Sequence, residues 1–230
     1  MCLNMETVLD RPIWNALTTR HARFALGHGR ALRFDPDVGQ FAASADDTPE
    51  ALAALAALAP AKGPLIFIQA DAPPDIPGTR VAMRGVLAQM VAGPLPPPPA
   101  ADFAITPLDD ADAPEMLALA TLTEPGPFFA RTHQLGDFVG VRVDGRLAAM
   151  AGERMKFPGF TEVSAVCTHP DHRGRGYGAA LTHLVAQRIQ ARGETPFLHV
   201  FPHNTGAIAI YEALGFRLRR EMTLTVMVGA

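Results

Sequence analysis

Arg173, Gly174, Arg175, Gly176, Tyr177 and Gly178 follow directly on Thr168-His169-Pro170-Asp171-His172, and this mix of residue types suits one task, holding a phosphate or pyrophosphate. Glycines at alternate positions let successive backbone N–H groups converge on an anion. The free amides at the start of a following helix add partial positive charge, and Arg173 and Arg175 add full charge. An adenine dinucleotide, a nucleoside triphosphate and coenzyme A all carry such a group, so the spacing has to discriminate. A P-loop needs Lys followed by Ser or Thr after its last glycine, where this chain has Ala179-Ala180. A dinucleotide fingerprint needs G-x-G-x-x-G, where Gly174, Gly176 and Gly178 make G-x-G-x-G. The plainer reading of the same glycines is an ordinary tight turn between a strand and a helix.

The pattern Arg173-x-x-Gly176-x-Gly178 resembles the acyl-CoA loop of the GCN5-related N-acetyltransferase (GNAT) superfamily, and two further segments extend the resemblance. Asn204-x-x-Ala207-x-x-x-Tyr211-x-x-x-Gly215-Phe216 follows the apolar run Phe197-Leu198-His199-Val200-Phe201, and Glu162 precedes Arg173 by eleven residues. The wording EVSAVCTHPDHRGRGYG with VFPHNTGAIAIYEALGF is most similar to the FR47-like and glycine N-acyltransferase branch. The resemblance spans residues 102–228.

Acyl transfer from a thioester to an amine requires a neutral amine, a stabilised oxyanion and a proton for the departing thiolate. The resemblance implies Glu162 as general base, acting directly or through water, with a salt-bridged or exposed strand carboxylate as its structural alternative. It implies that backbone groups of Val166, Cys167 and Thr168 bind the pantetheine arm and polarise the thioester carbonyl. Tyr211 falls at the position of the general acid, and a phenol with a pKa near 10 suits a thiolate leaving group; its alternative is core packing. Asn204 resembles the polar contact to the cofactor arm and is also a fitting N-cap. Cys167 lies beside the expected thioester, but direct transfer in a ternary complex is what the resemblance implies, so a covalent route is set aside. His169, His172, His199 and His203 flank the site without a ligand spacing, and no metal is expected. The expected co-substrate is acetyl-CoA or another acyl-CoA, and the acceptor is a small-molecule or protein amine. The rival function is a non-catalytic acyl-CoA-binding regulatory module that keeps the loop without the chemistry.

These residues need a strand before the loop and a helix after it. The run Val163 to Val166 is rich in small and β-branched residues, Pro170 stops it, and Leu181, Leu184, Val185 and Ile189 recur at helical spacing. Residues 138–143 and 146–151 form a hairpin about Asp144-Gly145, and Phe157-Pro158-Gly159 turns into the strand carrying Glu162. A last helix over residues 205–214 ends at Gly215, ahead of a terminal strand. Upstream, Phe103-Ala104-Ile105 reads as a strand, and Asp112-Ala113-Pro114-Glu115 starts a helix. Phe128 and Phe129, in the Pro-rich interruption after it, fit either an acceptor pocket or simple packing. Earlier still, Ile13, Trp14, Leu17, His21 and Phe24 predict a helix over residues 12–25. Thr48-Pro49-Glu50 opens another, ended by Pro60, and Leu65-Ile66-Phe67-Ile68 reads as a buried strand. Residues 81–91 lean towards strand.

The fold class is therefore α/β in the α+β sense, with a mixed, mostly antiparallel GNAT sheet flanked by helices in the C-terminal half. The expected division is an α/β N-terminal domain over 1–93, a Pro-rich linker over 94–101 and the acetyltransferase domain over 102–230. The element order of the first part is compatible with a degenerate copy of the same fold. A proline run favours extended, stiff chain.

Composition sets the outer bounds. At 230 residues and 48% hydrophobic the chain can build a substantial core, and a formal net charge of −3 argues against nucleic-acid binding by bulk electrostatics. Cys2 and Cys167 are too few for a disulfide framework and lack zinc-site spacing. Residues 1–6 have no basic region followed by an apolar core, and the near-apolar run over 51–60 is too short to span a bilayer. A soluble cytoplasmic protein is the expectation, with no membrane partner.

Overall fold

A computed structural model describes residues 7–59 and 63–230; Cys2, the opening residues 1–6 and the helix-ending Pro60 lie outside the described residues. In chain order the elements are α1 (Pro12–Leu17), β1 (Ala25–His28), β2 (Ala31–Phe34), β3 (Ala42–Ser44), α2 (Pro49–Ala57), β4 (Leu65–Gln69), β5 (Thr79–Ala92) and β6 (Thr106–Leu108). They continue with α3 (Ala113–Thr123), β7 (Phe138–Val143), β8 (Arg146–Phe157), β9 (Phe160–Thr168), α4 (Tyr177–Ala191), β10 (Thr195–Val200), α5 (Thr205–Ala213) and β11 (Phe216–Gly229).

Turn and cap chemistry sets most of these boundaries. Thr48 accepts the Ala51 N–H ahead of α2, and Asp109 and Asp112 form a capping box before α3. Asp144 and Gly145 both hold positive φ between β7 and β8, the backbone a two-residue hairpin turn demands. Gly193, with φ +76°, ends α4. The first helix is shorter than its apolar spacing predicts. The hydroxyls of Thr18 and Thr19 bond back to the carbonyls of Trp14 and Asn15 at its end, and the chain continues as a 3-10 turn over Ala22–Phe24. Phe103 lies outside any strand and packs edge-on against Tyr177, with ring centroids 4.6 Å apart, and β6 forms three residues later.

The central sheet is eight-stranded, in the order β4-β11-β5-β10-β9-β8-β7-β6, and β9 with β10 is its parallel pair. A separate three-stranded sheet, β1-β2-β3, sits beside it. β4 and β5 thus come from before the proline run, and β5 is hydrogen-bonded between β11 and β10. The run is held in place: Gly93 N–H donates to the Gly215 carbonyl at 3.0 Å, Gln190 Nε2 donates to the Gly93 carbonyl at 2.8 Å, and His183 Nε2 lies 2.8 Å from the Pro96 carbonyl.

One face of the sheet is covered by α4, whose Leu181, Val185 and Ile189 are almost fully buried against Val139, Val163 and Leu198. Each such side chain contributes roughly 1.5–3 kcal/mol of transfer free energy. On the opposite face α3 packs Met116 and Leu119 on Phe138 and Met150, while Ile13, Phe34 and Phe41 join Ile68, Phe157 and Phe197. Among the described residues no helix is long and apolar enough to cross a membrane.

Candidate active site

Two irregularities in β9 make the site. Ala165 has φ +52°, a left-handed conformation unusual for a residue with a Cβ, and there the pairing with β8 shifts from Gly152↔Ser164 to Met150↔Cys167. This is a β-bulge, which bends the strand. On its other side, β9 pairs with β10 only from Thr195↔Phe160 to Phe197↔Glu162. Beyond that point β10 is paired on its other edge alone, where Leu198, His199 and Val200 face Met90, Gln89 and Ala88 of β5. The two parallel strands separate just past Glu162 and leave the backbone of residues 166–168 facing open space.

A cleft of about 780 Å³ fills the gap. It is lined by residues 166–168, 172–179, Asn204 and Tyr211, so the structure brings the expected cofactor residues together on one surface. Gly174 and Gly176 have φ +77° and +78°, conformations that glycine adopts without strain. Ala180 N–H is bonded to the Gly176 carbonyl at 3.1 Å, so the amides of Tyr177, Gly178 and Ala179 form the open end of the 15-residue α4. Arg173 and Arg175 are exposed beside them. The Tyr177 ring is itself buried against Phe103, which leaves its backbone amide as its contribution to an anion site. A CoA pyrophosphate fits this end: the donors converge, and no Cβ crowds them at Gly174 or Gly176. Asn204 caps α5, its side chain accepting the Ala207 N–H at 3.2 Å, and it also lines the cleft.

Glu162 is fully buried and does not itself line the cleft. Arg154 Nε donates to its Oε2 and Arg154 Nη2 to its Oε1, both at 2.8 Å, and His199 Nδ1 lies 2.8 Å from Oε1. Burial works against the charged carboxylate. The Arg154 charge and hydrogen bonds, with the hydrogen bond from His199, outweigh it and hold Glu162 well below the usual carboxylate range. Arg154 and His199 stand between Glu162 and the cleft, and both line it.

The His199 tautomer follows from its neighbours. Gln89 Oε1 accepts from Arg219 Nη1 at 2.8 Å, and Gln89 Nε2 donates to the Leu9 carbonyl at 2.9 Å, which orients the amide. Its Nε2 then also lies 3.0 Å from His199 Nε2, which must accept. The His199 proton is therefore on Nδ1, donated to Glu162.

Burial pushes the Tyr211 phenol up to about 12, so it is protonated at neutral pH. Burial likewise pushes the Cys167 thiol up to about 11, despite hydrogen bonds with Thr123 and Met150. Of the two phenylalanines after α3, Phe128 packs edge-on against Phe138, and the cleft wall is made by residues 123–127 just before them. Among the described residues, no group of three or more His, Cys, Asp or Glu side chains is arranged to hold a metal ion.

Arg154 and Gln89 are the site residues that spacing arguments missed, and His199 was placed beside the site without a role. The one local signal was a charged pair, Glu153-Arg154, inside the otherwise apolar stretch from Leu147 to Met155. A charge in such a run needs a buried partner.

A mostly antiparallel sheet whose parallel pair splays beside a glycine-rich helix start defines the class of GNAT acyltransferases. The comparisons with known proteins agree. Residues 138–225 match the family model described as FR47-like protein. A GNAT-family protein of solved structure from Novosphingobium aromaticivorans is 45% identical, with a TM-score of 0.88 over 96% of this chain and 98% of its own. A GCN5-related N-acetyltransferase from Kribbella flavida, 22% identical, shares the fold with a TM-score of 0.64 over 93% of each chain. A GCN5-related N-acetyltransferase-like protein from Streptococcus suis, 14% identical, does so with a TM-score of 0.55 over 90% of this chain and 82% of its own. No curated protein matches. The chain belongs to the GNAT family, and it is an enzyme of the N-acetyltransferase type.

Proposed function

We propose that the cleft takes acyl-CoA, in the simplest case acetyl-CoA, and that an amine attacks the thioester directly in a ternary complex. The observation that carries this reading is the divergence of β9 and β10 past Glu162, opposite the Gly174–Gly176 turn and Tyr211 on one continuous cleft. Acyl-CoA supplies the activated carbonyl and the thiolate leaving group. The amides of residues 174–179 and the two arginines hold the pyrophosphate, and Asn204 contacts the arm. Backbone N–H groups of residues 166–168, unpaired with β10, stabilise the oxyanion. Tyr211 delivers the proton to the thiolate.

Glu162 has the part of an anion that fixes Arg154 and His199 at the cleft wall, which makes it a positioning residue. The ammonium proton leaves through water at that wall. Cys167, a buried thiol, stays out of the reaction.

The test is a calorimetric titration of the full chain with acetyl-CoA, CoA, ATP and NAD, followed by thiol release with an amine. Micromolar binding of the CoA species alone, with amine-dependent thiol release, is expected. Tighter binding of ATP or NAD, or none of CoA, would remove the acyl-donor assignment.

A further inference from the structure

Beyond His199 the cleft continues as an apolar strip, which none of the acyl-donor contacts uses. Strand alternation puts Met83, Gly85 and Leu87 of β5 on the same face as Gln89, the residue that touches His199. The register sets Val226 of β11 between Met83 and Ile66, and Leu224 between Gly85 and Ile68. Phe41, bridged to Ile66, covers part of the strip, and the Arg154 guanidinium lies 4.9 Å over its ring. From Gln89 to Met83 the strip runs about 20 Å at the usual strand rise. It ends in the open, where Met83 is 45% exposed.

We infer that the acceptor is a primary amine on an apolar body, an arylalkyl or longer alkyl group, which lies along this strip with its nitrogen at the Arg154–His199 wall. This rests on the transferase reading above. Three observations favour such an occupant. The strip is walled by apolar side chains, whose contact with a ligand is worth most when the ligand is apolar. Glu124 is the one carboxylate among the described residues of the cleft lining, so a polyamine or an aminoglycoside would bring cations that find no counter-charge. The wall also offers an ammonium no open carboxylate, because the Glu162 oxygens are taken by Arg154 and His199, so the neutral amine, the form that attacks, is favoured there. The strip is assigned to the acceptor and not to a long acyl chain because it starts at Arg154 and His199, polar groups that an acyl tail does not use.

The experiment measures kcat/KM of the full chain with acetyl-CoA as donor and ethylamine, butylamine, hexylamine, 2-phenylethylamine and spermidine as acceptors. The expected result is a rise of about fourfold per added methylene, the partition of a buried CH₂, with 2-phenylethylamine more than tenfold above spermidine. Gly85 has no positive φ, and a Cβ there meets only Leu224 Cδ2 at 3.8 Å, so Gly85→Leu projects into the strip. It should cut the hexylamine-to-ethylamine ratio more than tenfold. Met83→Ser, about 20 Å from the wall and past the reach of a hexyl chain, should leave that ratio within about twofold. A flat alkyl series, a preference for spermidine, or acetyl-CoA binding with no amine acetylated would overturn the acceptor assignment. A per-methylene gain along acetyl-, butyryl- and octanoyl-CoA, removed by Gly85→Leu, would place the acyl chain in the strip and overturn it as well. Failure of acetyl-CoA to bind is a different result, and brings down the transferase reading itself.

Discussion

Arg154 closes on Glu162 with two parallel hydrogen bonds of 2.8 Å, across adjacent strands and with both side chains buried. The carboxylate oxygens also take the His199 Nδ1 proton and the Met155 N–H, so their lone pairs are spoken for. A carboxylate bound in this way is an organiser of the cleft wall, and a proton is hard to place on it.

Arg154→Met should therefore cost about 3–5 kcal/mol in urea denaturation at pH 7, because it leaves a buried carboxylate without its cation. The pH dependence has a definite sign. In the wild type Glu162 is held below its unfolded pKa of about 4.3, so its contribution is complete above that pH and fades as pH falls further. In the variant the carboxyl is held above it, and protonation relieves the penalty. The gap between the two proteins should narrow from pH 7 to pH 4; a gap that stays constant would show that the pair is not the source.

His21 gives a second pH signature. Burial, opposed by the Arg154 carbonyl, lowers its pKa from 6.5 to about 4. The unfolded chain then binds a proton that the folded one does not, and stability falls as pH drops from about 6.5 towards 4. His21→Gln should flatten that part of the profile, read from urea midpoints at pH 7, 5.5 and 4.5. An unchanged slope would assign it to other groups.

With its thiol pushed up to about 11, Cys167 should react with iodoacetamide far more slowly than a free thiol at pH 8. Cys167→Ala should keep turnover within a few-fold. A loss of two orders of magnitude would bring back a covalent acyl-enzyme.

The parts of this site that were legible in the sequence are local ones. Glycines with φ near +78°, two arginines and a helix start lie within a few residues, and Asn204 caps the helix that follows. The Arg154–Glu162 contact was hidden, because its partners lie eight residues apart on β8 and β9, whose register shifts between Glu153 and Lys156. The bulge was hidden too, since nothing in an alanine announces the φ of +52° at Ala165. The apolar strip depends on β5 lying between β10 and β11, and chain order does not fix sheet order. α1 ended early for a reason that apolar periodicity does not weigh, the competition of Thr18 and Thr19 for its carbonyls.

Gly176→Val separates strain from ligand crowding. A Cβ at Gly176 meets nothing within 4 Å, so the free protein pays mainly for a β-branched residue at φ +78°, about 1–2 kcal/mol. Acetyl-CoA binding should weaken at least tenfold by calorimetry, and Gly176→Ala should fall in between. Unchanged affinity in the valine variant would remove this turn from the phosphate site.

Tyr211 makes the sharpest test of the chemistry, because its role predicts a dependence on the leaving group. A phenol near 12 stays protonated throughout the working pH range; as a weaker acid than the alkyl thiol, it hydrogen-bonds the sulfur as the C–S bond breaks and passes its proton on only as it takes another from water. An alkyl thiol of pKa about 8.5 gains from that proton, whereas an aryl thiol leaves readily as the anion. Tyr211→Phe should lower kcat with acetyl-CoA by about 10²- to 10³-fold and leave its binding little changed. The same variant should lose much less with an acetyl aryl-thioester donor. An equal loss with both donors would show that Tyr211 shapes the cleft without donating a proton, and turnover within a few-fold of wild type would move the general acid elsewhere.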